Sequence, residues 1–434
     1  TNSNLTLDNS DQILSELNLG NNYSDFGGLS PDGGDYDSSI YAGDHFPILQ
    51  KQGLDPGSVK VFKTDGKDWI QLGNEIIGDS FWDQIGISIS LSADGTTLAV
   101  GSPLSVEYDS SESDISAAFP GRPYVSVYKL ENNIWNQIGS DIEYVETNDQ
   151  DKNSYFGFST SLSADGKVLA ISSMWTNEDV STSNNGEVKI FENSGIGFSQ
   201  VGNTLKESNF DEFGYSVDLS SDGSTLVVSS AEGGGIFIYE RDGDNWSQIG
   251  ETISFFDYES DLKPETIRKQ ETIIQSKITD DGQYIAIGSP NTDDNGLNSG
   301  KLKVFKNNNG SWEQVGADIY GASLSRLGTY IDIEVDSNGF LTLGASGTDE
   351  NGNSFVNVYK LFGSDWISFA NLDSTNNKNF PTNSLDISNN GEFLAIGTSH
   401  SPINNQNYDD NYLSAGYIGF KEEIGNVRVY DLST

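Results

Sequence analysis

The residues best suited to chemistry sit in two matching loops, NTDDNG (Asn291 to Gly296) and GTDENG (Gly347 to Gly352). Asp293, Asp294 and Asn295, with Asp349, Glu350 and Asn351, offer side-chain oxygens at close spacing. Calcium takes about six to eight oxygens, which makes it the candidate ion. The same residues suit a tight turn, in which Asx side chains cap backbone N–H groups and glycine takes positive φ. Neither loop leads to a bidentate Glu at a recognisable spacing, and nothing in the pattern requires a cofactor. Both readings stand at this level.

Other catalytic constellations are thin. The chain has two histidines, His45 and His400, and no cysteine. Thiolate chemistry, histidine metal clusters and most Ser-His-Asp arrangements are thereby excluded. A paired-carboxylate glycosidase site remains open, because 65 acidic residues mark no one pair over the rest. Gly233, Gly234 and Gly235 precede a strand rather than a helix, so they do not form a phosphate loop. Aromatic residues among carboxylates and amides suit carbohydrate or protein recognition. Those outside the regular repeats are Trp82, Trp175, Tyr108, Tyr155, Tyr258, Tyr408 and Tyr412. Each equally suits pinning its own loop.

These residues must be positioned by a repeat. FGYSVDLSSDGSTLVVSS, from Phe213, is nearly repeated as FGFSTSLSADGKVLAISS, from Phe156, and as IGISISLSADGTTLAVGSP, from Ile85. Alternating apolar residues around an Asp-Gly pair predict a β-hairpin. Seven such turns occur, near Gly33, Gly95, Gly166, Gly223, Gly282, Gly339 and Gly391. Seven V-x-V-Y/F strands follow, ending at Phe62, Tyr128, Phe191, Tyr239, Phe305, Tyr359 and Tyr430. The third signature, W-x-Q-x-G, appears at Trp69, Trp135, Phe198, Trp246 and Trp312, with a weaker copy at Trp366. Its recurrence at one strand position predicts aromatic packing of unit against unit rather than a sugar-stacking series.

Four antiparallel strands per unit and seven units predict an all-β, seven-bladed β-propeller occupying residues 1–434 as one domain. We name its strands A to D outward from the axis. Six outer strands for seven units leave one to be supplied. ELNLG, within residues 13–20, is expected to pair as the outer strand of the last blade and close the ring. A–B and C–D turns then lie at one end, and B–C and D–A connections at the other. The long connections, Pro103 to Arg122, Trp175 to Asn185, Thr252 to Thr272 and Thr398 to Glu423, all belong to the second end, which marks it as the functional one.

F-G before strand A and G-S-P after strand B resemble the FG-GAP repeat of integrin α-type propellers, and of bacterial and marine surface proteins built from it. Strict F-G holds at Phe156-Gly157 and Phe213-Gly214, with Ile85-Gly86 near. Leu327-Gly328 reads as out of register with its turn. The family's D-x-D-x-D-G calcium loop is replaced here by the shorter S-x-D-G, so its calcium residues do not carry over. The resemblance implies an extracellular binding or adhesion scaffold, not an enzyme.

Charge narrows the partners. A formal net charge of −42 repels nucleic acid and anionic membranes. No apolar run reaches the roughly 20 residues needed to span a bilayer. With what the resemblance implies, the expected function is recognition of a glycan or surface protein by an extracellular, secreted or surface-displayed protein. A structural subunit that packs on itself or on a carrier filament is the first alternative. A polysaccharide-active enzyme is the second.

Overall fold

A computed structural model describes residues 57–64, 68–78, 85–103, 123–144, 154–174, 186–207, 210, 212–231, 234–255, 274–348, 353–373, 382–398 and 426–432. It also places the strand Ile13–Asn18 and a short pair, Val106–Glu107 with Phe119–Pro120. The described residues are all strand and turn, in seven antiparallel sheets arranged as a seven-bladed propeller.

Blade four shows how sequence becomes sheet. Phe213–Leu219, Thr225–Ser230, Gly235–Asp242 and Asn245–Gln248 pair in chain order as strands A to D. The A–B turn is not a two-residue hairpin with both central residues at positive φ. Gly223 has φ 66°, and its N–H donates to the Ser220 carbonyl at 2.8 Å. Ser220 Oγ bonds Asp222 at 2.8 Å and accepts the Thr225 N–H at 3.0 Å. The preserved unit is thus S-x-D-G as a whole, with serine and aspartate supplying turn bonds that the backbone lacks. Ser92, Ser163 and Thr279 make the equivalent bonds in blades two, three and five.

The B strands depart from simple alternation. Every residue of Thr97–Ser102, Val168–Ser173 and Thr225–Ser230 is buried. Neighbouring blades cover both faces of each B strand, so both faces must be apolar or small. The same burial rule gives the continuous apolar strands of parallel sheets.

The W-x-Q-x-G strands turn on their glycine. In blade three Phe198–Gln200 and Leu205–Lys206 both pair with strand C, and the register moves by two residues across Gly202. Blades one, two, four and five do the same across Gly73, Gly139, Gly250 and Gly316. These glycines have φ between 69° and 79°. Blade six, reading WISFA without glycine, keeps one strand, Asp365–Asp373, with a single bulge. The glycine also admits the next blade. Trp135 Nε1 donates to the Leu72 carbonyl at 2.8 Å, and a Cβ on Gly73 would lie 2.6 Å from the Trp135 ring. Trp366 sits on Val315 and Gly316 in the same way. Trp135, Trp246, Trp312 and Trp366 therefore pack blade on blade, as expected, whereas Trp69 is 40% exposed and, among the described residues, joins no such cluster.

The closing strand is not where the sequence pattern put it. Ile13–Asn18 pairs with Ser58–Thr64, the V-x-V-F strand of blade one, so it fills an inner place there. It touches strand A of blade two and strand B of blade seven, which joins the ring at its start. ELNLG has the leucine and glycine of the outer-strand motif but no aromatic to seat on a neighbouring blade, so nothing selects the outer position. Among the described residues blade seven comprises Thr382–Ile387, Phe393–Thr398 and Asn426–Asp431. The turn near Gly33 lies outside the described residues.

Candidate functional site

The F-G motif builds the long-connection end of the ring. Phe156, Phe213, Ile85 and Leu327 are all buried, and the glycine after each has φ between 88° and 95°. Leu327-Gly328 therefore does fill the F-G position, contrary to its spacing in the sequence. Its A–B hairpin is longer, pairing from Ile331↔Ala345 to Val335↔Leu341, which moves the Asn-Gly turn away from the motif. In three blades the residue before the motif, Tyr155, Glu212 or Arg326, is also left-handed, at φ 51°, 57° and 47°. That geometry turns the incoming D–A connection sharply into the inner strand.

Of the loop aromatics, Tyr155 is placed by the structure, half-buried on this turn, with its carbonyl accepting the Phe158 N–H at 3.0 Å. Trp82, Trp175, Tyr108, Tyr258, Tyr408 and Tyr412 lie outside the described residues. So do Asp349, Glu350 and Asn351. The first acidic loop is described in full. Asp293 Oδ1 accepts the Asn298 N–H at 2.7 Å, and Asp294 pairs with Lys301 at 3.0 Å. The Asn295 amide donates to the Gly321 carbonyl at 2.8 Å. Each side chain closes the loop on itself or on its neighbour, and a cation here would compete with the Lys301 ammonium for Asp294.

The unexpected group lies on the inner strands. Ser90, Ser161, Asp218, Lys277 and Asp386 stand one residue before the last apolar position of their A strands, and Asp332 one residue before Ile333 in blade six, whose strand runs on through Glu334 to Val335. The Leu162 N–H donates to Ser90 Oγ, and the Leu219 N–H to Ser161 Oγ, both at 2.9 Å. The Ile278 N–H donates to Asp218 at 2.9 Å, and the Ile387 N–H to Asp332 at 2.6 Å. A side-chain oxygen of one blade thus receives a backbone N–H of the next, four times round the ring. Lys277 has no acceptor to offer and pairs back to Asp218 at 3.4 Å.

A second circle joins the hairpin tips. The Ala93 N–H donates to Ala164 at 3.0 Å, Ala164 to Ser221 at 2.8 Å and Ser221 to Asp280 at 3.0 Å. At the next step the Asp280 N–H donates to the Glu334 carboxylate at 3.2 Å. The two circles bring Asp218, Asp280, Asp332, Glu334 and Asp386 into one electrostatic neighbourhood. Burial, reinforced by Asp386, pushes the Asp332 carboxyl up to about 7. Burial, with the charges of Asp280 and Asp332, pushes Glu334 up to about 10. Asp280 is raised for the same reason, against the hydrogen bond from Ser221. Sequence reading passed over these acids because each sits at a position filled by serine in other blades, and only the ring brings them together.

A buried carboxylic acid that keeps its proton near neutral pH is the usual raw material of general acid catalysis. Here each such group also carries an inter-blade hydrogen bond. Among the described residues no cluster of acidic or histidine side chains is arranged to hold a metal.

No family model matches the chain, and no curated protein matches it. Solved structures do. The periplasmic gluconolactonase of Pseudomonas aeruginosa is 13% identical, with a TM-score of 0.50 over 80% of this chain and 88% of that one. A candidate 6-phosphogluconolactonase from Bacteroides uniformis is 11% identical, with a TM-score of 0.51 over 88% of this chain and 97% of that one. A protein from Lactobacillus plantarum is 10% identical, with a TM-score of 0.51 over 87% and 96%. At these identities the likeness establishes the fold alone.

Proposed function

We propose that the ring is an extracellular, non-catalytic recognition scaffold of the FG-GAP-like kind, which binds a glycan or a surface protein at its long-connection end. One observation carries this reading. The strands leave all four long connections, after Ser102, Ser173, Ser254 and Thr398, at the end where the F-G turns lie. The opposite end carries short S-x-D-G turns tied tip to tip. A rigid ring with one elaborated end is the arrangement that loop-borne recognition uses. Asp218, Asp332 and Glu334 fit a holding role, since each accepts a backbone N–H from the adjoining blade or tip. The fold needs no cofactor in this reading, and calcium is the ion to test on the acidic loops.

The test is a glycan and surface-protein array probed with the full chain. Trp82→Ala and Trp175→Ala are expected to lose the ligand while the melting temperature stays put. If both variants bind as the parent does, the long-connection end is not the recognition surface.

A second reading is favoured by the raised carboxyls of Asp332 and Glu334, the protonated form that a general acid needs. Two structural neighbours carry lactonase names, so the substrates to try are sugar lactones beside polysaccharides. Turnover abolished by Asp332→Asn in a folded protein would replace the recognition reading with an enzymatic one.

A further inference from the structure

The bonds between inner strands divide the ring into two arcs. In blades two to four the accepting group is a serine hydroxyl, Ser90 for the Leu162 N–H and Ser161 for the Leu219 N–H. In blades four to seven it is a carboxylate, Asp218 for the Ile278 N–H and Asp332 for the Ile387 N–H. The circle of hairpin tips changes character in the same arc. Backbone bonds run from Ala93 through Ala164 and Ser221 to Asp280, and another joins Ser337 to Asn390 at 2.9 Å. Between these two stretches the Asp280 N–H reaches a side chain instead, both oxygens of Glu334, at 3.2 and 3.4 Å.

Glu334 and Asp332 lie on one inner strand, Ile331–Val335, and charged groups approach it from every neighbouring element. Blade four brings Asp218, blade five brings Lys277 and, at its tip, Asp280 and Asp281, and blade seven brings Asp386. Lys277 is already paired with Asp218 at 3.4 Å. On the same face of blade six, Thr342 stands opposite both Glu334 and Lys360, and Lys360 pairs with Asp336 at 2.9 Å. Thr342 is fully buried, and its hydroxyl has no hydrogen-bond partner. The Asn389 side chain of blade seven hydrogen-bonds Asp280, so the tips of blades five and seven are joined beside Glu334. A carboxylate in this place loses water and gains like-charged neighbours, and both effects favour the form that carries a proton. Serine does not titrate, and the arc of blades two to four has no such dependence.

We infer that the junction of blades five, six and seven is a seam that opens locally in alkaline solution, freeing the tips of blades five and seven from the inner strand of blade six, while the serine-held arc stays shut. The direction follows from the protons. The closed seam holds them on Asp332 up to about pH 7 and on Glu334 up to about pH 10. The opened seam, with water at both groups, releases them near pH 4. Closure is therefore complete below that pH and weakens as pH rises. Between pH 7 and 9 each opening still releases the Glu334 proton, so the opening constant rises about tenfold per pH unit.

Hydrogen exchange of the full chain at pH 7, 8 and 9, expressed as protection factors, tests this. The amides of Asp280 and Ile387 report on the seam. Those of Leu162 and Leu219, held by serine in the same inter-blade geometry, report on the other arc. Protection of the first two is expected to fall about tenfold per pH unit, and that of the second two to stay level. Glu334→Gln is expected to abolish the fall at Asp280 and Ile387. The pH series on the parent chain stands by itself should that variant not fold. An equal fall at all four amides means that the whole ring opens, and overturns the inference. Level protection at Asp280 and Ile387 overturns it as well, and so does an unchanged fall in folded Glu334→Gln.

Discussion

At the scale of single residues, the acids on the inner strands decide how the ring responds to pH. Glu334 is buried against the charges of Asp280, Asp332 and Asp218. Asp332 faces Asp386 and Asp218, partly offset by Lys277. Both acids hold a proton in the folded ring that the unfolded chain releases near pH 4. Their contribution is complete below that pH. It is lost as pH rises through about 7 for Asp332 and toward about 10 for Glu334. Glu334→Gln keeps an acceptor for the Asp280 N–H and removes the titration. It is expected to raise stability at pH 8 by about 1–3 kcal/mol and to leave it unchanged at pH 4. Urea unfolding at the two pH values checks this, and an equal shift at both would mean that the proton on Glu334 is not what matters.

At the scale of elements, the repeat is legible where a motif contacts its own copy in the next blade. W-x-Q-x-G has this property: its glycine makes room for the following tryptophan, so both recur together. Gly316→Ala would place a methyl 2.5 Å from Trp366 Nε1 at φ 71°. A loss of about 3 kcal/mol is expected, combining left-handed strain with a displaced indole. Gly310, at φ 87°, has nothing within 4 Å of its would-be Cβ. Gly310→Ala should cost only the strain, about 1–2 kcal/mol. Chemical denaturation of the two variants separates backbone freedom from packing, and equal losses would refute the packing argument. The acidic loop is an element of another kind. NTDDNG reads equally as turn or cation loop, and the Lys301 that pairs with Asp294 stands seven residues on, where spacing rules do not look.

At the scale of the whole molecule, closure is the feature that the pattern misplaced. Ile13–Asn18 lies beside Ser58–Thr64 and bridges blade one to strands of blades two and seven. Deleting residues 1–20 is therefore expected to open the ring where it begins, lowering stability by at least about 3 kcal/mol through lost apolar burial. The outer-strand reading also expected a loss, so the location of the damage tells them apart. Hydrogen exchange should rise first in Ser58–Thr64 and Ser88–Leu91, whereas loss of an outer strand from blade seven would expose Asn426–Asp431. If the truncated chain melts like the parent, the strand contributes nothing to closure.

The sequence alone determined the class, the count and most pairings. Alternation, an S-x-D-G turn and a glycine beside a tryptophan are local rules, and each blade obeys them within its own stretch. Tertiary structure decided what depends on which blade stands beside which. A short strand with a period of two fits an inner or an outer place equally well, so only the assembled ring could place Ile13–Asn18. Asp218, Asp280, Asp332, Glu334 and Asp386 are spread over four blades and more than one hundred and fifty residues, and read singly as surface acids. Their coupling exists because a closed ring sets the inner strands of successive blades side by side, where the carboxylates are partly buried and each meets the next.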